Sequence, residues 1–117
     1  MSVPPISGTL PTAQAPNTLV QLSSGNIVPA TAGTTPVIQG ILSPSGTKDE
    51  DGNIAAGTMA NMEWFGVQIV KIKDGETIVA GDLINADPTT FEAIKDNVNG
   101  VFEVVRVRGS YADVWFK

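Results

Sequence analysis

The sequence predicts an all-β protein: a small compact domain, barrel-like or tulip-like, built from two similar β units and carrying an extended N-terminal arm. Three observations lead there. Short apolar runs are separated by Gly, Asn, Ser and Pro turn signals, and no segment has the spacing for a helix of three turns. All seven basic and twelve acidic residues lie between Lys48 and Lys117, while seven of the eight prolines precede them. One strand-and-turn order also recurs in the two halves.

A chain of 117 residues holds one domain and can bury about two-thirds of its unfolded surface. The division expected is an arm over residues 1–18 and a single β-rich domain over 19–117. Residues 1–18 (MSVPPISGTLPTAQAPNT) place Pro4, Pro5, Pro11 and Pro16 among small residues. Proline removes a donor and biases its predecessor towards extended backbone, so neither a helix nor a central strand is expected. Two readings stand: a disordered tail, or an arm that orders on a partner through its free backbone and the apolar Val3, Ile6 and Leu10.

Leu19 to Leu22 reads as the first strand, Ser23-Ser24-Gly25-Asn26 as a turn, and Ile27-Val28 as the return up to Pro29. Residues 37–42 form the next strand, with Gly40 marking a bulge or a close backbone approach. Residues 47–61 are a loop bearing the first charges. Residues 62–72 (MEWFGVQIVKI) read as one long two-sided strand, either central or covered by a subunit neighbour. Asp74-Gly75 signals a hairpin returning through Thr77 to Val79.

Residues 81–85 are extended, Asp87-Pro88 turns the chain, and residues 90–95 make either a helical turn or a short strand. After Asn99-Gly100, residues 101–108 and 111–116 pair as a hairpin across Gly109-Ser110. The runs LVQLSSGNIVPATAGTTPVIQGIL and LINADPTTFEAIKDNVNGVFEVV then share one order, with Gly40 and Gly100 in equivalent places. Either this is a duplicated β unit or a chance likeness of β-rich stretches.

Composition argues against several functions. Cysteine and histidine are both absent, which removes thiolate sites, disulfides and the commonest neutral-pH base and metal ligand. A net charge of −5 is unsuited to a phosphate backbone, and the two arginines Arg106 and Arg108 beside Trp115 do not reverse that. No cationic leader or long apolar run follows Met1, so neither a signal peptide nor a spanning helix is expected. Asp49, Asp51 and Asn53 alternate like calcium ligands, but Ile54 and Ala60 stand where that loop requires Gly and Glu. No histidine is present to activate a serine, no spacing selects a Ser–Lys pair, and acids such as Glu63, Asp82 and Glu103 show no selective spacing. The expectation is a protein that is not an enzyme, with no cofactor, no metal, no nucleic acid and no membrane among its partners.

Trp64, Tyr111 and Trp115, with Arg106 and Arg108, are the candidates for a subunit interface. Strand alternation cannot place every aromatic inside, and an exposed apolar patch suits self-association. Arg106 and Arg108 share a strand face, where they either pair with Glu103 or Asp113 or meet an acidic partner.

Leu19, Leu22, Ser23, Ser24, Val28, Gly33, Thr34, Gly40, Ile41 and Leu42 follow one another as in tailed-bacteriophage head decoration proteins. The chain thus resembles the lambda-like, capsid-stabilising cement group over about 24 residues, residues 19–42. Ala80-Gly81-Asp82 and Asn99-Gly100-Val101 are similar to related small phage proteins. The closing RVRGSYADVWFK departs from that pattern. The resemblance implies a homotrimeric virion protein on the outer surface of the expanded capsid, bridging capsomers of the major capsid protein. It also implies that the arm (Val3, Pro4, Pro5, Ile6, Leu10, Pro11) contacts the shell. Deleting residues 2–18 is then expected to leave the β domain folded and to weaken attachment. Alternatives are a tail or baseplate component, or a carbohydrate-binding β domain using Trp64 or Trp115.

Overall fold

Ten strands and no helix are found among the described residues, 4–116, of the computed structural model. The first five are β1 (Ile6–Thr9), β2 (Leu19–Ser23), β3 (Asn26–Pro29), β4 (Gly40–Leu42) and β5 (Met59–Glu63). They close into a barrel in the order β1-β3-β2-β4-β5. The second five are β6 (Gly66–Lys71), β7 (Leu83–Ala86), β8 (Ala93–Lys95), β9 (Phe102–Arg108) and β10 (Tyr111–Phe116). These form a sheet in the order β6-β10-β9-β7-β8.

The two units share one topology. In the barrel all neighbours are antiparallel except β1 and β3, which meet in parallel at Thr9 and Asn26. In the second sheet all neighbours are antiparallel, and its end strands approach through a parallel bridge between Ile72 and Ala93. Register makes the match residue by residue. Leu19 pairs with Ile41 and Val20 with Gly40, as Leu83 pairs with Glu103 and Ile84 with Phe102. The Leu42 amide donates to the Thr18 carbonyl at 2.9 Å, as Val104 does to Asp82 at 2.9 Å. The recurrence in sequence is therefore a structural one, shifted by two residues: Gly40 corresponds to Phe102, not to Gly100.

Two cores hold the units. Leu10, Val20, Ile27, Leu42, Ile54, Ala60 and Met62 fill the barrel. Leu19, Ile38 and Ile41, from the same stretch of chain, join Val70, Ile84, Val104, Val114 and Phe116 in the seam between barrel and sheet. Adjacent residues on β2 and β4 thus point into different cores, which strand alternation requires. A charge at Leu19 or Val20 of β2, or anywhere on β4, would be buried, at a cost of several kcal/mol. Burial thus explains the lack of charge at Leu19, Val20 and Gly40–Leu42, but not at exposed positions such as Ser24, Thr34 and Gln39.

Several expectations are corrected. Residues 62–72 are two strands in two sheets, not one. The break falls after Trp64 and Phe65 at Gly66, whose φ of 82° is readily adopted only without a Cβ. The Asp74-Gly75 turn forms, with the Glu76 amide donating to the Lys73 carbonyl at 3.1 Å. No strand returns from it, because Ile78 drops into the seam core instead. Of residues 37–42 only Gly40–Leu42 is strand, and residues 90–95 resolve as the strand Ala93–Lys95.

The largest correction concerns residues 6–18, expected as an arm outside the β domain. Ile6–Thr9 is a barrel strand paired with β5 from Ile6–Met62 to Thr9–Met59. Pro5 and Pro11 flank the strand rather than interrupt it, so no ladder donor is lost. Leu10 is fully buried in the barrel. Further along, the Gln14 amide donates to the Ile54 carbonyl at 3.2 Å, and Thr18 is buried.

Candidate interaction surface

The β9–β10 hairpin turns at Gly109-Ser110, and its alternation sorts side chains as the sequence indicates. Ala112, Val114 and Phe116 are buried, while Tyr111 and Trp115 are exposed on the other face. On one side β6 sets Val67 opposite Trp115, Ile69 opposite Asp113 and Lys71 opposite Tyr111. On the other, β9 sets Glu103 opposite Trp115, Arg106 opposite Asp113 and Arg108 opposite Tyr111. A register shift beside Asp113 and Val114 accommodates Val105, also exposed. The outcome is a three-stranded face carrying Val67, Ile69, Val105, Tyr111 and Trp115, all at least 41% exposed.

At its centre two arginines share one carboxylate. Arg106 donates to Asp113 Oδ2 from Nε at 3.0 Å and from Nη2 at 2.8 Å, and Arg108 Nη2 donates to Oδ1 at 2.7 Å. The Asp113 side chain is only 7% exposed, beneath guanidinium groups that are 66% and 51% exposed. The Arg108 hydrogen bond, then that of Arg106, holds the Asp113 carboxyl below its ordinary range against the opposing effect of burial. This cluster leaves one positive charge in excess.

The remaining predicted residues are dispersed. Tyr111, Trp115, Arg106 and Arg108 come together as above, but Trp64 lies off this face at the junction of the two units. Its indole N–H donates to the Pro4 carbonyl at 3.1 Å, and its ring tilts against Phe65 at 5.7 Å. Trp64 also borders a cavity of about 340 Å³ with Ile6, Leu22, Ile38, Met62 and Phe102. Pro4, Pro5 and Pro11 are exposed, and Ile6 is half-buried against the barrel core. Val3 lies outside the described residues. Leu10, buried completely, can meet no partner unless the barrel opens. Val67, Ile69 and Val105 join this face without a sequence signal of their own: alternation gives the side on which Val67 and Ile69 lie, but not that this side is uncovered.

A second cavity, of about 510 Å³, lies between the 30–34 segment and β7–β8. On its wall Asn85 Nδ2 donates to the Gly33 carbonyl at 2.8 Å and to Asp96 Oδ2 at 3.0 Å. It presents neither a nucleophile with a base nor a ligand set. Among the described residues no group of three acids, histidines or cysteines could hold a metal ion. No helix among them is long and apolar enough to cross a membrane.

Fold and surface together define an all-β, two-unit protein with an exposed sheet face that bears apolar residues and arginines. No protein-family model and no curated protein matches the chain. Among solved structures, a chain from the capsid of Myoviridae phage XM1 is similar to it in fold. The match covers 99% of this chain and 82% of that one, with a TM-score of 0.68 and 17% sequence identity.

Proposed function

We propose that the chain is a non-enzymatic virion structural protein that binds the outer surface of an assembled, expanded phage capsid. There it bridges neighbouring capsomers of the major capsid protein as a homotrimer and stabilises the shell. The observation that carries this reading is the fold likeness, over nearly the whole chain, to a chain of a phage capsid structure. The resemblance of residues 19–42 to head decoration proteins points the same way.

Binding that is selective for the assembled lattice stabilises it by mass action, and repetition over many sites turns modest contacts into high avidity. Such a role needs surface rather than chemistry. With Leu10 inside the barrel, the shell contact assigned to the N-terminal segment falls to its exposed rim at Pro4, Pro5 and Pro11.

The test is co-sedimentation of purified protein with undecorated heads, expanded and unexpanded. Saturable binding to expanded heads is expected, with a rise in their melting temperature. Equal binding to both forms, or binding to tails instead of heads, would overturn the proposal.

A further inference from the structure

Because the two units superpose by register, each outward position on the β6–β10 face has a counterpart on β1–β5. Ile69 and Asp113 correspond to Ser7 and Asn61, which are joined by a hydrogen bond of 2.8 Å. Trp115 corresponds to Glu63, since each pairs with the equivalent residue of the preceding hairpin partner, Glu103 and Ile41. Ile69, Asp113 and Trp115 of the second unit thus have the polar counterparts Ser7, Asn61 and Glu63 in the first, although Tyr111 has the exposed Met59. The scaffold does not require Ile69 and Trp115 to be outside, so their exposure is specific to the second unit.

The units differ at a second place. The second unit joins β9 to β10 by the two-residue turn Gly109-Ser110, whereas the first joins β4 to β5 by residues 43–58. That connection carries Asp49, Glu50 and Asp51, and its shape is set by Asp49 Oδ1 accepting from the amides of Asp51 at 2.9 Å and Asn53 at 3.1 Å. The neighbouring Lys48 offsets only one of these three charges, and its ammonium donates to the Pro44 carbonyl at 2.6 Å rather than to a carboxylate. No ion pair engages Asp49, Glu50 or Asp51 among the described residues. The first unit thus presents unpaired acids where the second presents a surplus arginine beside exposed Tyr and Trp.

We infer that the β6–β10–β9 face of one copy docks against the first unit of a second copy, with Arg106 and Arg108 receiving the acidic 49–51 loop. The occupant is another copy because charge complementarity lies within the chain itself. Tyr, Trp and Arg at the centre of such a face are the residue types that dominate interfaces, and charges at its rim set orientation. The contact is head-to-tail: it joins different surfaces and closes only as a ring. This deepens the homotrimeric part of the proposed function and rests on that part alone, so its readout is the oligomeric state of the protein without shells.

Sedimentation velocity over a concentration series tests it. Wild type is expected to form a closed trimer that weakens with salt. Glu50→Lys with Asp51→Lys, at exposed loop positions, and Val67→Lys on the face should each weaken association at least tenfold. Arg108→Glu should do the same, and combining it with the loop reversals should recover association. Should Arg108→Glu unfold, the loop variant and Val67→Lys decide the matter. A monomeric wild type overturns the inference, as does a loop variant that assembles like wild type or a charge swap that fails to recover. Shell binding by a monomer would leave the capsid reading standing and remove this one.

Discussion

Gly40 and Phe102 occupy the same position in the two units, paired with Val20 and Ile84 respectively. In the second unit the place is filled by an aromatic ring, tilted against Phe116 at 4.6 Å. In the first it is empty because the backbone leaving β5 for the second unit passes there. A Cβ on Gly40 would strike the Glu63 carbonyl and lie 2.8 Å from Met62 Cγ. The same fold position thus holds Phe in the second unit and only Gly in the first, where the chain crosses over.

Gly40→Ala is accordingly expected to destabilise by about 1–3 kcal/mol, the usual cost of forcing atoms into a packed interior. The obstacle is backbone, which cannot rotate away as a side chain would. Urea denaturation reads this as a lower midpoint with an unchanged slope. A midpoint equal to wild type would show that the crossover has slack.

Leu10 separates a free arm from a closed barrel. Because it is fully buried, Leu10→Ala should cost about 2–5 kcal/mol. Deletion of residues 2–18 should leave the β5 edge without β1 and the barrel without Leu10, giving a protein that fails to melt cooperatively. Circular dichroism melts of the two variants check this. A truncated protein that melts like wild type would restore the free-arm reading of residues 1–18.

The fold was legible in sequence wherever local chemistry decides. Gly109-Ser110 between two alternating runs specified the last hairpin, and alternation alone put Tyr111 and Trp115 on one face with Arg106 and Arg108 beside them. The repeat was visible because short strands and turns recur in order. Its register was not, because only pairing distinguishes Gly40 from its neighbours. Trp64-Phe65-Gly66 looked like the middle of a strand, since a continuous apolar run carries no mark of the sheet to which each half belongs. Ile6–Thr9 was hidden by its flanking prolines, although a proline beside a strand costs no ladder bond. The exposure of Val67 and Ile69 depends on this face of the sheet being uncovered, as it is for Tyr111 and Trp115 on the neighbouring β10, a property of the whole fold.

Asp113 should tolerate the loss of its arginines less well than the loss of its own charge. Arg106→Ala with Arg108→Ala leaves a carboxylate that is 7% exposed without a counter-ion. A penalty of about 1–3 kcal/mol is expected, below that of a fully buried pair because the guanidiniums are half in water. Adding Asp113→Asn should recover most of it. NMR titration should show the Asp113 carboxyl rising in the double arginine variant. No rise would mean that burial and the arginines do not set its proton affinity.

Acid should weaken this protein through its second unit. The Val79 amide, then Asn97, lowers the Asp82 carboxyl; Lys73, then the Thr90 amide, lowers Asp87; the Asn99 amide, then Asn85, lowers Asp96. Asp113 is lowered by its arginines. Each group binds its proton less tightly folded than unfolded, where its value is near 3.8. Their stabilisation is therefore fully present well above that value and is lost as pH falls through the depressed folded values. All four lie between residues 82 and 113, in the second unit. Urea midpoints should stay level between about pH 7 and 5 and fall steeply below about pH 4. Asp87→Asn should flatten that fall, because it removes a group that Lys73 holds at 2.7 Å. Amide exchange at low pH should lose protection in β7–β10 before β2–β5. Stability that is constant down to about pH 2.5, or a barrel that opens first, would contradict this account.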